Sequence, residues 1–201
     1  MDHAAPRPPL LLDLGNVLVD LDFERFVAAA ATASPRSPGE IRDRYILGEA
    51  KRSYERGLAT SAAFFAELAA WLRWPAGRRA DLVRCWCDIF TATPGAEAAV
   101  RRLAAARPLW VLSDTNPAHL VWCRSRWPWF GLCARWIVSC ETGRLKADVG
   151  AFAPVVAAAL PHDSPLVFYD DLPANVAAAR REGLDGRLFT GWAAALAELD
   201  R

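Results

Sequence analysis

Four short segments, far apart in the chain, each set a polar residue at or after an apolar run. They are Leu10-Leu11-Leu12-Asp13, Val111-Leu112-Ser113, Arg144-Leu145-Lys146 and Val167-Phe168-Tyr169-Asp170-Asp171. The third fits least well, as a lysine in a loop or at a helix start. Together they supply a carboxylate nucleophile, a hydroxyl, a cation and an acidic pair, the equipment of a magnesium-dependent phosphoryl-transfer site. Asp13, ahead of Leu14-Gly15-Asn16, can attack phosphorus and form an aspartyl-phosphate, although Asp at a strand end also serves simply to start a turn. Asp170 and Asp171 repel one another unless a cation lies between them. A few carboxylate oxygens, completed by water and phosphate, suit Mg²⁺; the plainer use of the same pair is an acidic turn capping the helix at Pro173. Ser113, in Ser113-Asp114-Thr115-Asn116, offers a hydroxyl beside the backbone N–H groups of a helix start. It can hold a phosphate oxygen there or, with its Asp neighbour, cap the helix. Lys146 would neutralise the phosphate, while an isolated lysine is more often solvated.

The elements that must position these residues are legible from periodicity. Residues 10–14 read as a buried strand ending in a turn at Gly15-Asn16. Residues 20–90 read as helical, with helices over 23–32, 40–47, 61–72 and 76–89 and no strand. Pro35, Ser37, Pro38 and Gly39 break the first from the second, and Thr60 or Ser61 caps the third. An all-helical insert directly after the first strand reads as a cap. Beyond Pro94-Gly95 helices over 95–106, 117–124, 151–160, 173–182 and 193–199 alternate with strands over 109–112, 136–139, 166–169 and 187–189. That alternation predicts a parallel sheet covered on both faces, with sites at the carboxyl ends of its strands.

The 201 residues suffice for one large domain, or one domain with a modest insert. Net charge is +1, from 24 basic and 23 acidic side chains, which gives no pointer to nucleic acid or a membrane surface. The longest apolar stretch, 151–160, contains Pro154 and falls far short of the roughly 20 residues of a membrane span. The N-terminal residues lack the basic region of a signal peptide, so a cytoplasmic protein is expected. Cys85, Cys87, Cys123, Cys133 and Cys140 form no metal-type CxxC pair and read as buried reduced thiols. Trp122, Trp127, Trp129, Phe130 and Trp136 form a dense aromatic group, expected to pack at the sheet edge or to form a homodimer surface.

From residue 10 to residue 200 the chain resembles the haloacid dehalogenase (HAD) superfamily of phosphatases. Asp13-Leu14-Gly15-Asn16-Val17-Leu18-Val19-Asp20 resembles the first motif, Ser113-Asp114-Thr115-Asn116 the second, Lys146 the third, and Asp170-Asp171 with Asn175 the fourth. Residues 13–23, Gly48-Glu49-Ala50, Tyr54-Glu55-Arg56-Gly57 and Thr115-Asn116 with His119 are most similar to the bacterial subgroup containing alpha-glucose-1-phosphate phosphatase. The resemblance implies an α/β fold, a three-layer Rossmann-like parallel-sheet core (1–19 and 91–201) with a small all-helical cap (20–90) inserted after the first strand. It implies Asp13 as nucleophile, with Ser113 and Lys146 holding the phosphoryl group. It also implies Mg²⁺ on Asp13, the Gly15 carbonyl, Asp170 and Asp171, with Thr115 and Asn116 nearby. Cap residues Glu49, Lys51, Tyr54, Glu55 and Arg56 are expected to choose the substrate, with Arg56 binding it. The activity implied is hydrolysis of a small phosphomonoester, such as a sugar phosphate, by a monomer or homodimer that binds neither nucleic acid nor membrane. Two alternatives stand beside it: a metal-independent haloacid dehalogenase, and a weakened phosphate- or partner-binding protein.

The chain departs from the family pattern at two places. Most phosphatases of the superfamily carry an Asp two residues after the nucleophile as general acid and base; here, as in the glucose-1-phosphatase-like subgroup, the position is Gly15. His119 is one substitute, and a packing residue is the plainer reading. Ala147-Asp148 stands where the family usually has Pro-Glu.

Overall fold

The structure, a computed structural model, describes residues 7–159 and 165–201. Residues 1–6 and position 160, the end of one expected helix, lie outside the described residues. Five parallel strands form the main sheet: β1 (Leu10–Leu12), β4 (Leu109–Ser113), β5 (Arg135–Val138), β6 (Val167–Asp170) and β7 (Asp185–Leu188). Their order is β5-β4-β1-β6-β7, so the chain winds outward in both directions from β1. Leu11 pairs with Trp110 on one side and Phe168 on the other.

The alternation of strand side chains builds two apolar layers. Leu10 and Leu12 face α6 (Ala96–Ala104) and α11 (Trp192–Leu199), where Ala99, Val100, Leu103, Trp192 and Ala195 are buried. Leu11, Leu112 and Phe168 face the opposite way, onto Phe152, α9 (Ala153–Ala159) and α10 (Pro173–Arg181). The result is the α/β three-layer arrangement expected from the sequence. Phe130 on a 3₁₀ turn (Pro128–Leu132) packs edge-on against Trp129 and against Trp136 of the edge strand β5, with centroids at 4.1 and 5.4 Å. The aromatic group therefore covers the sheet edge.

Between β1 and β4 the chain runs through α1 (Phe23–Thr32), α2 (Pro38–Ile41), α3 (Glu49–Glu55), α4 (Ser61–Leu72) and α5 (Arg79–Cys87). Helices α1 and α4 match the expected spans. The expected helix over 40–47 is instead a short α2 continued by a π-helical turn over Arg42–Ile46. Two further differences bear on the site. Residues 20–90 are not free of strand: β2 (Val19–Leu21) pairs antiparallel with β3 (Phe90–Ala92), so that both crossings between helices and sheet are tied together. The charged segment Glu49–Glu55 is helical, held by burial of Tyr54 and Glu55. The insert packs on an aromatic cluster in which Tyr54 stacks on Phe64 at 4.2 Å and Trp86 meets both Phe26 and Phe64 at 4.9 Å. No helix among the described residues is long and apolar enough to cross a membrane.

Candidate active site

The central strands end on the functional side chains. Asp13 directly follows β1, and its backbone N–H donates to the Tyr169 carbonyl at 2.9 Å, fixing it beside β6. Ser113 is the last residue of β4 and Asp170 the last of β6. β1 is flanked by β4 and β6, so the three meet at the carboxyl edge where the winding reverses, the usual place for a site in such sheets. Lys146 arrives from the loop after β5 and α8 (Ser139–Thr142). Its backbone N–H donates to Asp114 at 2.9 Å, and the preceding Leu145 N–H donates to Asp148 at 2.9 Å. The two carboxylates hold this short loop in place.

Lys146 Nζ lies 2.8 Å from Asp13 Oδ2 and 2.5 Å from Asp170 Oδ2, with all three side chains buried. Burial alone would lower the lysine, but Asp13, Asp170 and Asp114 together hold its pKa above the usual range. Asp13 goes the other way for a carboxyl. Burial and the charge of Asp170 raise it to about 7 despite Lys146. Asp170 is fixed from below, accepting from Leu172 N–H at 2.8 Å and from Asn175 Nδ2 at 3.0 Å. Asp171 accepts from Asn16 Nδ2 at 2.9 Å. Asn16 reaches it from the turn after β1 in a left-handed conformation (φ 53°) that Asn tolerates well.

Asp13, Asp170 and Asp171 each offer a carboxylate oxygen, and these lie within 4.8 Å of one another. One lysine against three clustered carboxylates leaves surplus negative charge in a largely buried place. An all-oxygen donor set with that surplus fits a hard divalent cation such as Mg²⁺. Gly15 lies alongside, lining the same cavity.

That cavity, of about 170 Å³, is lined by Asp13, Gly15, Ser113, Thr115, Lys146 and Asp171 from the sheet side and by Phe23, Lys51 and Glu55 from the helical insert. Most of the expected residues therefore converge; Asp170 meets the cavity through its contact with Lys146, and Glu49 and Tyr54 of the insert do not line it. Arg56 does not line it. Its guanidinium pairs with both oxygens of Asp148, Nη2 to Oδ1 at 2.9 Å, joining the end of α3 to the lysine loop. Asn116 does not line it either. It is the N-cap of α7 (Pro117–Arg126): its Oδ1 accepts from His119 N–H and its Nδ2 bonds His119 Nδ1, both at 3.0 Å. The cap of that helix is thus neither Ser113 nor Asp114. The pairing of Asp148 with Arg56 also accounts for an Asp in the lysine loop.

His119 is a packing residue. Nε2 bonds the Trp86 carbonyl at 3.0 Å, Nδ1 faces Asn116, and the ring stacks on Trp86 at 5.2 Å. Burial pushes its pKa down to about 3, so it stays neutral. Gly15 has a steric reason as well. A Cβ there would lie 2.6 Å from Leu21 Cδ1, so the tip of the β2 side chain would have to swing aside to admit it.

No family model matches the chain. Among solved structures it is similar to a HAD family enzyme from Bacteroides thetaiotaomicron, with a TM-score of 0.84 and 20% identity over 95% of this chain and 98% of that one. A predicted HAD-like family hydrolase from Porphyromonas gingivalis gives 0.80 and 22%, over 98% and 99%. L-2-haloacid dehalogenase from Xanthobacter autotrophicus is more distant, at 0.62 and 18%, over 88% and 75%. The Bacteroides enzyme in complex with magnesium and inorganic phosphate superposes at 0.81 with 21% identity, over 92% and 94%. The chain has the fold of HAD family enzymes.

Proposed function

We propose that the protein is a Mg²⁺-dependent phosphomonoesterase that works through an aspartyl-phosphate on Asp13. The observation that carries this reading is the convergence of Asp13, Ser113 and Lys146 in one cavity with the Asp170-Asp171 pair at its edge. The Bacteroides enzyme of the same fold, seen with magnesium and inorganic phosphate, adds support. Asp13, Asp170, Asp171 and the Gly15 carbonyl are the groups that would hold Mg²⁺, and the bound ion would supply charge for the phosphate oxygens. Asp13 Oδ attacks phosphorus. Ser113 and Lys146 hold the phosphoryl oxygens in line and, in a water-poor pocket, oppose the charge that develops. Lys146 then stays against Asp170 when Asp13 is esterified.

The helices over 20–90 act as a cap, and residues 1–19 and 91–201 as the core. Lys51 and Phe23 supply a cation and an aromatic wall above the phosphate, and a cavity of about 170 Å³ suits a small phosphorylated metabolite. A sugar phosphate of the glucose-1-phosphate kind, acted on by a monomer or homodimer, is the finer reading. A dehalogenase needs no metal and would leave the surplus negative charge of Asp13, Asp170 and Asp171 over Lys146 unbalanced. The binding-protein alternative rests on Gly15.

The test is phosphate release from sugar phosphates, nucleotides and an aryl phosphate, with and without Mg²⁺, beside Asp13→Asn. Metal-dependent release that disappears in the variant is expected. Mg²⁺ binding with no release from any substrate would favour the binding protein, and halide release without metal the dehalogenase.

A further inference from the structure

An aspartyl-phosphate cycle needs one proton delivered to the leaving oxygen and one removed from the attacking water. The titratable groups lining the cavity are Asp13, Lys51, Glu55, Asp114, His119, Lys146 and Asp171. Most of them are committed. Asp13 is the nucleophile, and Asp171 belongs to the cation site. Asp114 accepts the Lys146 backbone N–H with both oxygens, at 2.9 and 3.2 Å. Lys146 is bound to two carboxylates, and both nitrogens of His119 have partners.

Glu55 remains. It sits in the last turn of α3, only 6% exposed yet lining the cavity. Its ion-pair partner among the described residues is Lys51, at 2.6 Å and itself on the cavity wall. Resting on the phosphatase reading above, we infer that Glu55 is the proton donor and acceptor of this site, supplied from the helical insert in place of a side chain at position 15. Burial raises its pKa above the usual carboxyl range, and the charge of Asp114 adds to this against Lys51 and Arg52. Cys140, across on α8, is a further titratable neighbour. The acid is thereby protonated more readily than a free glutamate, and Lys51 stands ready for the carboxylate that forms.

The steps balance. Asp13 forms its bond to phosphorus as the ester P–O bond breaks, and the Glu55 proton goes to the departing oxygen, giving the alcohol. Water then attacks the phosphoryl group and its proton passes to Glu55. The P–O bond to Asp13 breaks, leaving inorganic phosphate, the Asp13 carboxylate and protonated Glu55. A fixed carboxyl on α3 also implies that the helix must lie over the pocket for turnover.

The experiment compares wild type with Glu55→Gln on glucose-1-phosphate and on p-nitrophenyl phosphate, in Mg²⁺. On the sugar phosphate kcat should fall by about 10²–10⁴-fold, with KM little changed. On the aryl phosphate, whose leaving group needs no proton, the variant should release one burst of nitrophenolate. Phospho-Asp13 should then accumulate, visible as an added phosphoryl mass on the intact chain, and its formation shows that the variant is folded. Glu55→Asp, which keeps an acid, should recover part of the rate. A raised KM with unchanged kcat would overturn the inference and make Glu55 a contact for substrate hydroxyls. So would equal losses on both substrates without a burst. If wild type turns over and Glu55→Gln matches it, only this inference fails. If wild type neither forms phospho-Asp13 nor releases phosphate, the phosphatase reading fails and Glu55 has no reaction to serve.

Discussion

His119 shows how little a residue type fixes its role. In the sequence it stands three residues after Asn116 and reads as a packing residue first and as a substitute acid or base second. In the structure its two ring nitrogens are committed to Asn116 and the Trp86 carbonyl. The pKa near 3 has a measurable consequence. An unfolded His takes up its proton near pH 6.5, while the folded one resists to about 3. Stability from this group is therefore full above pH 6.5 and is lost as pH falls toward 3, by roughly 5 kcal/mol across the window. His119→Asn should cost about 1–3 kcal/mol at pH 7 through stranded hydrogen-bond groups. It should also remove the His119 share of the pH dependence, so that the variant's urea stability rises relative to that of the wild type as pH falls from 6.5 to 4. Parallel slopes for the two proteins would show that His119 protonates freely in the fold. Arg56 makes the same point in reverse: a cation near a phosphate site looked like a ligand for substrate, and its partner is Asp148. Sequence gives the type of a side chain; its direction comes from packing that no local pattern encodes.

At the scale of elements, α3 depends on one close approach. Gly57, just past its end, has φ 69°, and a Cβ there would lie 2.2 Å from the Cys140 carbonyl oxygen on α8. Beside it the Arg56–Asp148 pair joins the same helix end to the lysine loop. Gly57→Ala should cost about 1–3 kcal/mol, from positive φ and the displaced backbone together. It should slow phosphate release as well, since Lys51 and Glu55 ride on that helix. Urea unfolding and turnover measured on one preparation check both, and unchanged turnover with lost stability would mean that α3 is not held by this contact. The central strands and the long helices α1 and α4 were legible because each is an apolar run closed by turn or capping residues, whereas β7, expected over 187–189, is the polar stretch Asp185–Leu188 set by its pairing with β6. The β2–β3 ribbon was not: three-residue strands carry too little alternation, and Val19 and Ala92 find each other only through the fold. Nor was α3, whose segment Glu49–Glu55 is charge-dense and is helical because Tyr54 and Glu55 are buried by neighbours distant in sequence. The site itself was largely legible because strand ends deliver it. Of its upper wall, Lys51 and Glu55 were named from the sequence, but the helix that carries them, α3, was not.

At the scale of the whole molecule, the cation and the proton compete for one buried carboxyl. Without metal, Asp13 keeps its proton up to about pH 7, against 3.8 in the unfolded chain. The folded state therefore binds more protons than the unfolded one between those values. Its stability from this group is full below about pH 4 and falls as pH rises to 7. This is opposite in sign to His119, which lines the same cavity. Mg²⁺ binds the ionised form, so the metal recovers at high pH what the lost proton gave at low pH. At about one hundred times its Kd, magnesium should add about 2.7 kcal/mol, or roughly 5–10 °C in Tm for a domain of this size. The gain should shrink steadily from pH 8 to pH 5, as protons displace the ion. Asp13→Asn, with no charge to neutralise, should lose Asp13's opposing slope, so that its apo Tm rises from pH 5 to 6.5 with the His119 contribution alone, and should lose most of the magnesium increment. Calorimetry of the two proteins at pH 5, 6.5 and 8 would decide it. A magnesium shift equal at all three values would mean that the ion binds without Asp13, and the three-carboxylate site would have to be redrawn around Asp170 and Asp171 alone.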